Sequence, residues 1–263
     1  MPTVSATLTV MIRAARKAAR GLLRDFNEVE NLQVSRKGAA DFVSRADTKS
    51  EEVLKEELLN ARPHYGWLGE ETGSFEGKDP TRRWIVDPLD GTTNFLHAIP
   101  HWAVSIALEH KGEIVAAVVL DAAKDEIYAA EKGAGAWLND QRIRVSSRGE
   151  MTECLFGSGM PFAGKGDLPE TLQDMARLMP RCAGMRRNGA AALDLAWVAA
   201  GRLDGFWERR LQPWDIAAGI LLVREAGGFV QDLNLEEANP LKTGSVIAAN
   251  AEIFDRFTKV LRT

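Results

Sequence analysis

Cysteine and histidine are both scarce in this chain of 263 residues, which contains two cysteines and four histidines. Cys154 and Cys182 are far apart and neither belongs to a C-x-x-C pair, so we expect no disulfide framework and a reducing, cytoplasmic compartment. His97 and His101 stand one helical turn apart, but Pro100 lies between them and the H-E-x-x-H pattern of zinc sites is missing. We therefore interpret the histidines as loop or surface residues.

The chain also lacks a long uncharged apolar run and an excess of positive charge. Its N-terminal apolar segment is interrupted by Arg13, Arg16, Lys17 and Arg20, so we expect neither a signal peptide nor a membrane span. The 33 Lys and Arg residues stand against 37 Asp and Glu residues, which gives a formal net charge of −4. That balance argues against nucleic acid as a partner, although the local basic stretch at 181–187 leaves the possibility open.

The pattern of apolar residues predicts both helices and strands along the whole chain. A hydrophobic content of 45% suits one large domain, or two closely packed halves that divide near residue 150. Mixed elements in both halves predict a layered α/β fold. Helices are expected at about 8–26, 190–200, 215–226 and 252–261, and strands at 67–68, 83–86, 103–108, 114–120, 126–130, 203–208, 229–230 and 246–249.

One stretch between predicted helices has little periodicity. Residues 27–46 are polar, and we interpret them as an exposed, mobile loop that carries Lys37. A second helix is predicted to start at about Thr48, because the segment Thr48-Lys49-Ser50-Glu51 matches the capping-box pattern of a helix N-terminus.

The most informative segment places two aspartates at the end of a buried strand. Trp84 to Val86 is an apolar run, and Asp87 and Asp90 follow it, with Gly91 to Thr93 directly after them. Open α/β sheets bind ligands at the carboxyl ends of their strands. Paired carboxylates suit a hard cation such as Mg²⁺, and Gly-Thr-Thr offers N–H groups and hydroxyls to an anion. The simpler alternative is a turn, since Asp-Pro and Asp-Gly are common turn dipeptides.

Further carboxylates occupy comparable positions. Glu70 and Glu71 follow a probable strand, Asp215 opens a predicted helix, and Asp47 precedes another. Each has an ordinary explanation as well: a solvated turn for the glutamates, a helix N-cap for Asp215 and a helix start for Asp47. An N-cap and a metal ligand are compatible roles, because both need the carboxylate at the mouth of the helix.

Taken together, these motifs resemble the inositol monophosphatase family. The resemblance rests on Leu68 to Glu71, Trp84 to Phe95, Pro213 to Gly219 and Glu225 to Gly228, and it extends from about Asp41 to Gly228. It implies an α-β-α-β-α sandwich of the inositol monophosphatase and fructose-1,6-bisphosphatase type. It also implies Mg²⁺-dependent hydrolysis of a phosphate monoester, with two or three ions in the site.

The resemblance implies a ligand for each ion. Glu70, Asp87 and the Leu89 carbonyl would hold the first ion, and Asp87, Asp90 and Asp215 the second. Glu70 would also help to hold a third, weaker ion through water. The N-terminal half, about 1–150, would be the metal-binding half, and the remainder, about 151–263, the substrate-binding half.

The resemblance also implies catalytic and substrate-binding roles. Thr92, with Glu70 and Asp47 nearby, would orient the attacking water, and the N–H groups of Gly91 and Thr92 would hold the phosphate. Glu208 would accept hydrogen bonds from neighbouring hydroxyls of a cyclitol ring. The full substrate-binding set would be Asp90, Gly91, Thr92, Gly189, Ala190, Ala191, Glu208 and Asp215.

Three points of this assignment stay open at the level of sequence. Glu208 has an alternative interpretation as a surface glutamate at a strand end. Arg209 and Arg210 depart from the family pattern, and they would favour a more anionic substrate if they face the pocket, but they would not if they face solvent or a partner subunit. Lys37 would approach the site if its loop closes, or it is an ordinary exposed lysine.

The leading hypothesis is therefore a phosphatase acting on inositol 1-phosphate. The same chemistry on fructose 1,6-bisphosphate, histidinol phosphate or a nucleotide 3′-phosphate is the first alternative. A regulatory protein that contacts RNA or the transcription machinery is the second. Family resemblance further implies a homodimer and inhibition by lithium. No G-x-S-x-G segment or catalytic-cysteine context is present, so the residues suggest no covalent intermediate.

Overall fold

The structure is a computed structural model, and it describes residues 5–32, 36–160, 168–235 and 237–262. In the first two helices, side chains are described up to residue 28 and again from residue 45. The described helices are α1 (Ala6–Leu32), α2 (Arg36–Ala61), α3 (Thr92–Leu96), α4 (Leu168–Leu178), α5 (Ala191–Ala199), α6 (Pro213–Glu225), α7 (Pro240–Thr243) and α8 (Phe254–Leu261). No described helix is long and apolar enough to cross a membrane.

The strands form two sheets. They are β1 (Tyr65–Gly69), β2 (Gly73–Phe75), β3 (Asp79–Asp90), β4 (Ala103–His110), β5 (Glu113–Asp121), β6 (Glu126–Glu131), β7 (Gly135–Leu138), β8 (Gln141–Ile143), β9 (Leu155–Ser158), β10 (Gly184–Arg186), β11 (Gly205–Glu208), β12 (Phe229–Gln231) and β13 (Val246–Ala249). The first sheet has the order β2-β1-β3-β4-β5-β6-β7-β8, and the second has the order β10-β9-β11-β13-β12. β1 and β3 run parallel, so their carboxyl ends meet at one edge.

These elements stack as α-β-α-β-α, which confirms the predicted fold class. α1 and α2 cover one face of the first sheet, α5 and α6 lie between the two sheets, and α4 and α8 cover the far face of the second sheet. The alternation of side chains explains the layering. On β3, Trp84 and Val86 pack towards α1 and α2, whereas Ile85 packs towards the middle helices. A strand covered on both faces reads as a continuous apolar run, as this one does.

The predicted helices and strands outside residues 27–46 are confirmed, with shifts at their ends. A hairpin turn at Lys111-Gly112 connects β4 to β5, and a turn at Gly133 connects β6 to β7. Gly227 follows α6 with a φ of 88°, in the left-handed region where glycine is favoured, and it ends this helix as expected.

The predicted loop over 27–46 and the helix start at Thr48 are wrong. Residues 27–32 belong to α1, and α2 begins at Arg36, so the capping-box pattern lies inside a helix. The carboxylate of Glu51 instead accepts hydrogen bonds from the backbone N–H groups of Glu71 and Thr72, at 2.8 Å each. The Glu51 side chain therefore makes a tertiary contact, although the local pattern assigned it to a helix cap. The side chain of Lys37 lies outside the described residues.

The middle layer depends on close contact between α5 and α6. Buried residues of both helices form one apolar cluster with strands of both sheets. Gly219 of α6 lies directly against Leu195 of α5, and a Cβ atom added at Gly219 would be 2.5 Å from the Leu195 Cβ. Small residues at this crossing therefore set the distance between the two helices.

We expect Gly219→Ala to lower the free energy of unfolding by about 2 kcal/mol, because overpacking at a tight helix crossing forces backbone shifts. Urea denaturation followed by circular dichroism measures the change. Gly21→Ala in α1 is the matched control, since an added Cβ meets nothing within 4 Å there. The control should raise stability by up to about 1 kcal/mol through helix propensity. Equal midpoints for the two variants would contradict the proposed crowding.

Candidate active site

Two neighbouring parallel strands deliver three carboxylates to one edge of the first sheet. Asp87 and Asp90 lie at the C-terminal end of β3, and the register of β3 against β4 shifts between these two residues. Glu70 directly follows β1. The irregular register lets both aspartates reach the same side, which a regular strand with alternating side chains would not allow for residues three apart.

Backbone hydrogen bonds hold three carboxylates in place. Asp87 Oδ1 accepts from the Leu89 N–H at 2.9 Å, and Asp90 Oδ2 accepts from the Ala192 N–H at 2.8 Å. Asp215 Oδ2 accepts from the Gln212 N–H at 2.7 Å. Gln212 is the N-cap of α6 and Asp215 is its third residue, in a reciprocal capping box. The interpretation of Asp215 as the N-cap was therefore wrong, because the N-cap lies three residues earlier. The carboxylate of Asp215 nevertheless lies at the N-terminal end of the helix.

These groups line a pocket of about 250 Å³ between the sheets. The pocket brings together the predicted residues from both halves of the chain and adds several that were not predicted. Its predicted lining is Glu70, Asp87, Leu89, Asp90, Gly91, Thr92, Gly189, Ala190, Ala191, Glu208 and Asp215. Its further lining is Thr93, Gly159, Met160, Arg187, Asp194 and Leu211.

Asp47 lies beside this pocket rather than on its wall. It is buried in α2, and among the described residues its Oδ1 has no hydrogen-bond partner. Burial raises the pKa of Asp47 to about 8, and the charge of nearby Glu70 adds to the effect. The catalytic role implied for Asp47 stays a prediction.

The carboxylates of the pocket repel one another. Burial and the charge of Asp90 raise the pKa of Asp87 well above its usual range, and burial and Asp215 do the same for Asp90. Glu70 is exposed at the rim, but partial desolvation and the charge of Asp215 raise its pKa to about 7. Burial raises the pKa of Asp215 to about 6. Such a cluster costs free energy by itself and is stabilised by any cation that enters.

The donor set fits a hard divalent cation. Four carboxylates and a backbone carbonyl offer only oxygen ligands, as Mg²⁺ prefers. The described residues nevertheless contain no group of three or more His, Cys, Asp or Glu side chains already arranged around a single metal position. The Leu89 carbonyl accepts a hydrogen bond from the Thr92 hydroxyl at 3.1 Å, which links a predicted metal ligand to the predicted water-orienting residue.

The turn after β3 requires glycine. Gly91 has a φ of 90°, and a Cβ added there would be 3.0 Å from the His101 carbonyl oxygen. Asn94 ties this turn to both halves, because its Nδ2 donates to the carbonyl oxygens of His101 and Asn188 at 2.8 Å each. His101 lies in a loop as expected, but it is buried.

Opposite the aspartates, Glu208 lies at the end of β11 and lines the pocket. Its strand-end position was predicted, but its side chain faces the pocket and not the surface. Burial raises the pKa of Glu208 to about 8, with further contributions from Asp194 and Asp215. Gly159 packs so closely against Glu208 that an added Cβ would overlap its carboxylate. Asp194 accepts a hydrogen bond from Asn188 Nδ2 at 2.5 Å.

The two arginines that depart from the family pattern do not line this pocket. Arg209 pairs with Asp174 of α4 and, at 3.0 Å, with Glu170 of the same helix. Arg210 is exposed and has a φ of 65°. Among the described residues of the pocket wall, the cation is Arg187, which sequence reasoning missed. Its position two residues before the predicted Gly189 was the only available signal.

The family match and the relatives define this protein, with its layered α/β fold and the acidic pocket at its strand ends, as a phosphatase. The chain belongs to the inositol monophosphatase family, whose model matches residues 4–263.

The relatives cover nearly the whole chain. The inositol-1-monophosphatase of Rhizobium meliloti (strain 1021) is 54% identical over 258 residues, which are 98% of this chain and 97% of that protein. The Nus factor SuhB of Escherichia coli (strain K12) is 42% identical over 246 residues, which are 94% and 92% of the two chains. The crystal structure of the extragenic suppressor protein suhB from Bartonella henselae matches with a TM-score of 0.91 and 50% identity, over 98% of this chain and 99% of that one.

Proposed function

We propose that this phosphatase hydrolyses inositol 1-phosphate with the help of Mg²⁺. The observation that carries the proposal is the single pocket in which Glu70, Asp87, Asp90 and Asp215 converge while Glu208 lies on the opposite wall. The first four carboxylates suit cations, and Glu208 suits the hydroxyls of a ring. The relative from Rhizobium meliloti named inositol-1-monophosphatase supports this choice of substrate.

The proposed metal ligands are Glu70, Asp87, Asp90, Asp215 and the Leu89 carbonyl. When bound, Mg²⁺ supplies positive charge to the phosphate and lowers the pKa of a bound water. The chain's own task is to position the reactants. Backbone N–H groups orient three of the carboxylates, as described above, and Asp90 is tied by its bond to Ala192 to the segment that begins α5.

Thr92 and the turn before it hold the reacting end of the substrate in this proposal. The Thr92 hydroxyl is near the Leu89 carbonyl, and it orients the attacking water together with Glu70 at the rim and the nearby Asp47. Gly91, which needs its left-handed backbone, allows the turn to approach the phosphate closely. At the far end, Glu208 accepts hydrogen bonds from ring hydroxyls, and the segment Gly189 to Ala191 leaves room for the ring.

Phosphate release from a substrate panel tests the proposal. The panel is inositol 1-phosphate, fructose 1,6-bisphosphate, histidinol phosphate and phosphoadenosine phosphate, each with Mg²⁺ and with a chelator. We expect Mg²⁺-dependent release that is fastest with inositol 1-phosphate. Preference for a bisphosphate would keep the chemistry and overturn the substrate. Lack of Mg²⁺-dependent release from all four would overturn the proposed function.

We expect Glu208→Ala to weaken the use of inositol 1-phosphate about a hundredfold while hydrolysis of an aryl phosphate changes little. A site that hydrogen-bonds hydroxyls discriminates strongly against substrates without them, and a loss of about 3 kcal/mol corresponds to this factor. Steady-state kinetics on both substrates measure the split. Glu237→Ala is a control that leaves the pocket intact, since Glu237 is not part of its wall. Equal losses on both substrates would show that Glu208 does not contact the ring.

A regulatory role is the second candidate function. Relatives such as the Escherichia coli (strain K12) protein carry the name Nus factor SuhB. We propose this role as an addition to catalysis, because the carboxylates of the pocket are present in this chain. A gel-shift assay with RNA at increasing salt tests direct RNA contact. Saturable, salt-sensitive binding would support that role, and its absence would leave the enzyme alone.

A further inference from the structure

A buried glutamate of α2 holds the loop that carries Glu70. Both carboxylate oxygens of Glu51 accept a backbone N–H of this loop, Oε2 that of Glu71 and Oε1 that of Thr72, at 2.8 Å each. Glu51 is fully buried, and it is not among the described residues that line the acidic pocket. It therefore contacts the backbone next to a proposed metal ligand without belonging to the pocket wall.

Close packing fixes Glu51 against this loop. A Cβ added at Gly69, the residue before Glu70, would be 2.5 Å from Glu51 Oε1 and 2.5 Å from Trp67 Nε1. The Trp67 Nε1 donates to the Thr72 hydroxyl of the same loop at 3.1 Å. A buried polar group that loses its hydrogen-bond partner costs free energy. The carboxylate and the loop are therefore held in one arrangement.

A second residue of α2 contacts the same loop one helical turn later. The Lys55 Nζ donates to the Thr72 hydroxyl at 3.2 Å. It also lies 5.7 Å from the ring centroid of Trp67 and 5.3 Å from that of Phe75. Residues four apart lie on the same face of a helix. Glu51 and Lys55 thus bind Thr72 through its N–H and its hydroxyl.

The same part of α2 also contacts the C-terminal end of β3. The Ser50 hydroxyl donates to the Pro88 carbonyl at 3.1 Å, in a buried hydrogen bond. Pro88 lies between Asp87 and Leu89, which line the pocket and are proposed metal ligands. One turn of α2 therefore contacts the backbone at both strand ends that deliver these ligands.

Glu70 needs this support because it lies beyond the end of the sheet. It directly follows β1, it is exposed, and the charge of Asp215 repels it. A loop that must become ordered when a cation binds weakens the binding. A loop that is already fixed presents its ligand in the competent arrangement, so the apparent affinity is not reduced.

We propose that Glu51 is a positioning residue for the metal site, which fixes the Glu70 carboxylate at the pocket by holding the backbone of Glu71 and Thr72. This inference rests on the Mg²⁺ site of the proposed function. It gives Glu51 no contact with the substrate or the metal ion. Its effect is therefore on how tightly Mg²⁺ binds, and not on the chemical step.

Titration calorimetry with MgCl₂ and amide hydrogen exchange test the proposal on the full chain. Glu51→Gln keeps the size of the side chain but has one acceptor oxygen, so one of the two N–H groups loses its partner. We expect this variant to bind Mg²⁺ about tenfold more weakly, while kcat at saturating Mg²⁺ changes less than about twofold. Exchange of the Glu71 and Thr72 amides, measured by NMR without Mg²⁺, should become at least about tenfold faster.

Glu225→Gln is the matched control for the lost hydrogen bond. The Glu225 carboxylate also accepts two backbone N–H groups, those of Gly133 and Gly135, at 2.8 Å each. None of these three residues is among the described residues of the pocket wall. The control should therefore leave Mg²⁺ binding unchanged.

Lys55→Met separates positioning from charge. The substitution removes the donor to the Thr72 hydroxyl and also removes a positive charge. Charge alone predicts tighter binding of Mg²⁺ to this variant. Loss of the contact with the loop predicts weaker binding, by about threefold, which is the result we expect.

Other results would overturn the inference. Unchanged amide exchange or unchanged Mg²⁺ affinity in Glu51→Gln would show that Glu51 does not position the site. Equal weakening in Glu225→Gln would indicate a general loss of stability, and tighter binding in Lys55→Met would indicate an effect of charge alone. Lack of Mg²⁺ binding by the unmodified chain would overturn the proposed function as well. If Glu51→Gln fails to fold, Lys55→Met at its half-buried position provides the comparison.

Discussion

Asp90→Asn is expected to lower Mg²⁺-dependent turnover by about 10³-fold, a loss of about 4 kcal/mol in transition-state stabilisation, while the protein stays folded. Asp90 is buried at the end of β3 and faces the charge of Asp215 across the pocket. The substitution keeps the size of the side chain and an oxygen that accepts from the Ala192 N–H, but it removes a negative charge from the proposed cation site. Phosphate release across a range of Mg²⁺ concentrations measures the loss.

The same variant also makes a prediction about stability. Without a bound cation, the carboxylates of the pocket repel one another, so removing one charge should leave the free energy of unfolding equal or higher. Asp140→Asn is the matched control, because Asp140 is exposed in the turn between β7 and β8. Full activity of Asp90→Asn at saturating Mg²⁺ would exclude Asp90 from the metal site.

Gly159→Ala is expected to raise the KM for inositol 1-phosphate by about tenfold or more, although Gly159 has no side chain to offer the substrate. The added Cβ would overlap the carboxylate of Glu208, which must then move. Misplacing a group that hydrogen-bonds the substrate costs about 1–3 kcal/mol. The added Cβ would meet only the end of the flexible Glu208 side chain, so we expect the fold to tolerate the substitution. We also expect kcat with an aryl phosphate to stay near that of the unmodified enzyme.

Gly149→Ala provides the comparison for this variant. A Cβ added at Gly149 comes no closer than 3.9 Å to a neighbouring atom, the Cβ of Glu252. We therefore expect its kinetics to match those of the unmodified enzyme on both substrates. If Gly159→Ala weakens the use of inositol 1-phosphate and of the aryl phosphate to the same extent, Gly159 supports the whole pocket and does not act through Glu208.

Local sequence patterns pointed to Asp87 and Asp90 because both follow a strong strand signal, whereas the site roles of Glu70 and Asp215 came from the family resemblance. The apolar run before Asp87 and the strand before Glu70 locate both carboxylates at one sheet edge. Patterns failed where a distant partner decides the role of a residue. Glu51 matched a helix cap, but it binds the backbone after β1. No local signal could show this.

The opposite wall of the pocket was harder to predict. Arg187 and Asp194 lie in a stretch whose only predicted site residues were Gly189 to Ala191, and their approach to Glu208 depends on the packing of β11 beside β9. Arg209 was equally ambiguous, since its partner Asp174 is on α4, a helix that the apolar pattern did not reveal. The sequence alone does not show whether a charged side chain near a pocket motif points into the pocket or towards another helix. That depends on the residues of the neighbouring layer.

The shared layer of α5 and α6 has a consequence for how this chain can be divided. Both sheets use these two helices as a common wall, and Leu195 and Gly219 set their separation. A chimaera that joins residues 1–150 to the remainder of a relative would receive that wall from the donor. The donor's α5 and α6 would then have to pack well against the first sheet of this chain. They would also have to keep the Ala192 N–H within hydrogen-bond distance of Asp90. Exchanging substrate preference by recombination is therefore expected to succeed only between relatives whose middle helices are interchangeable.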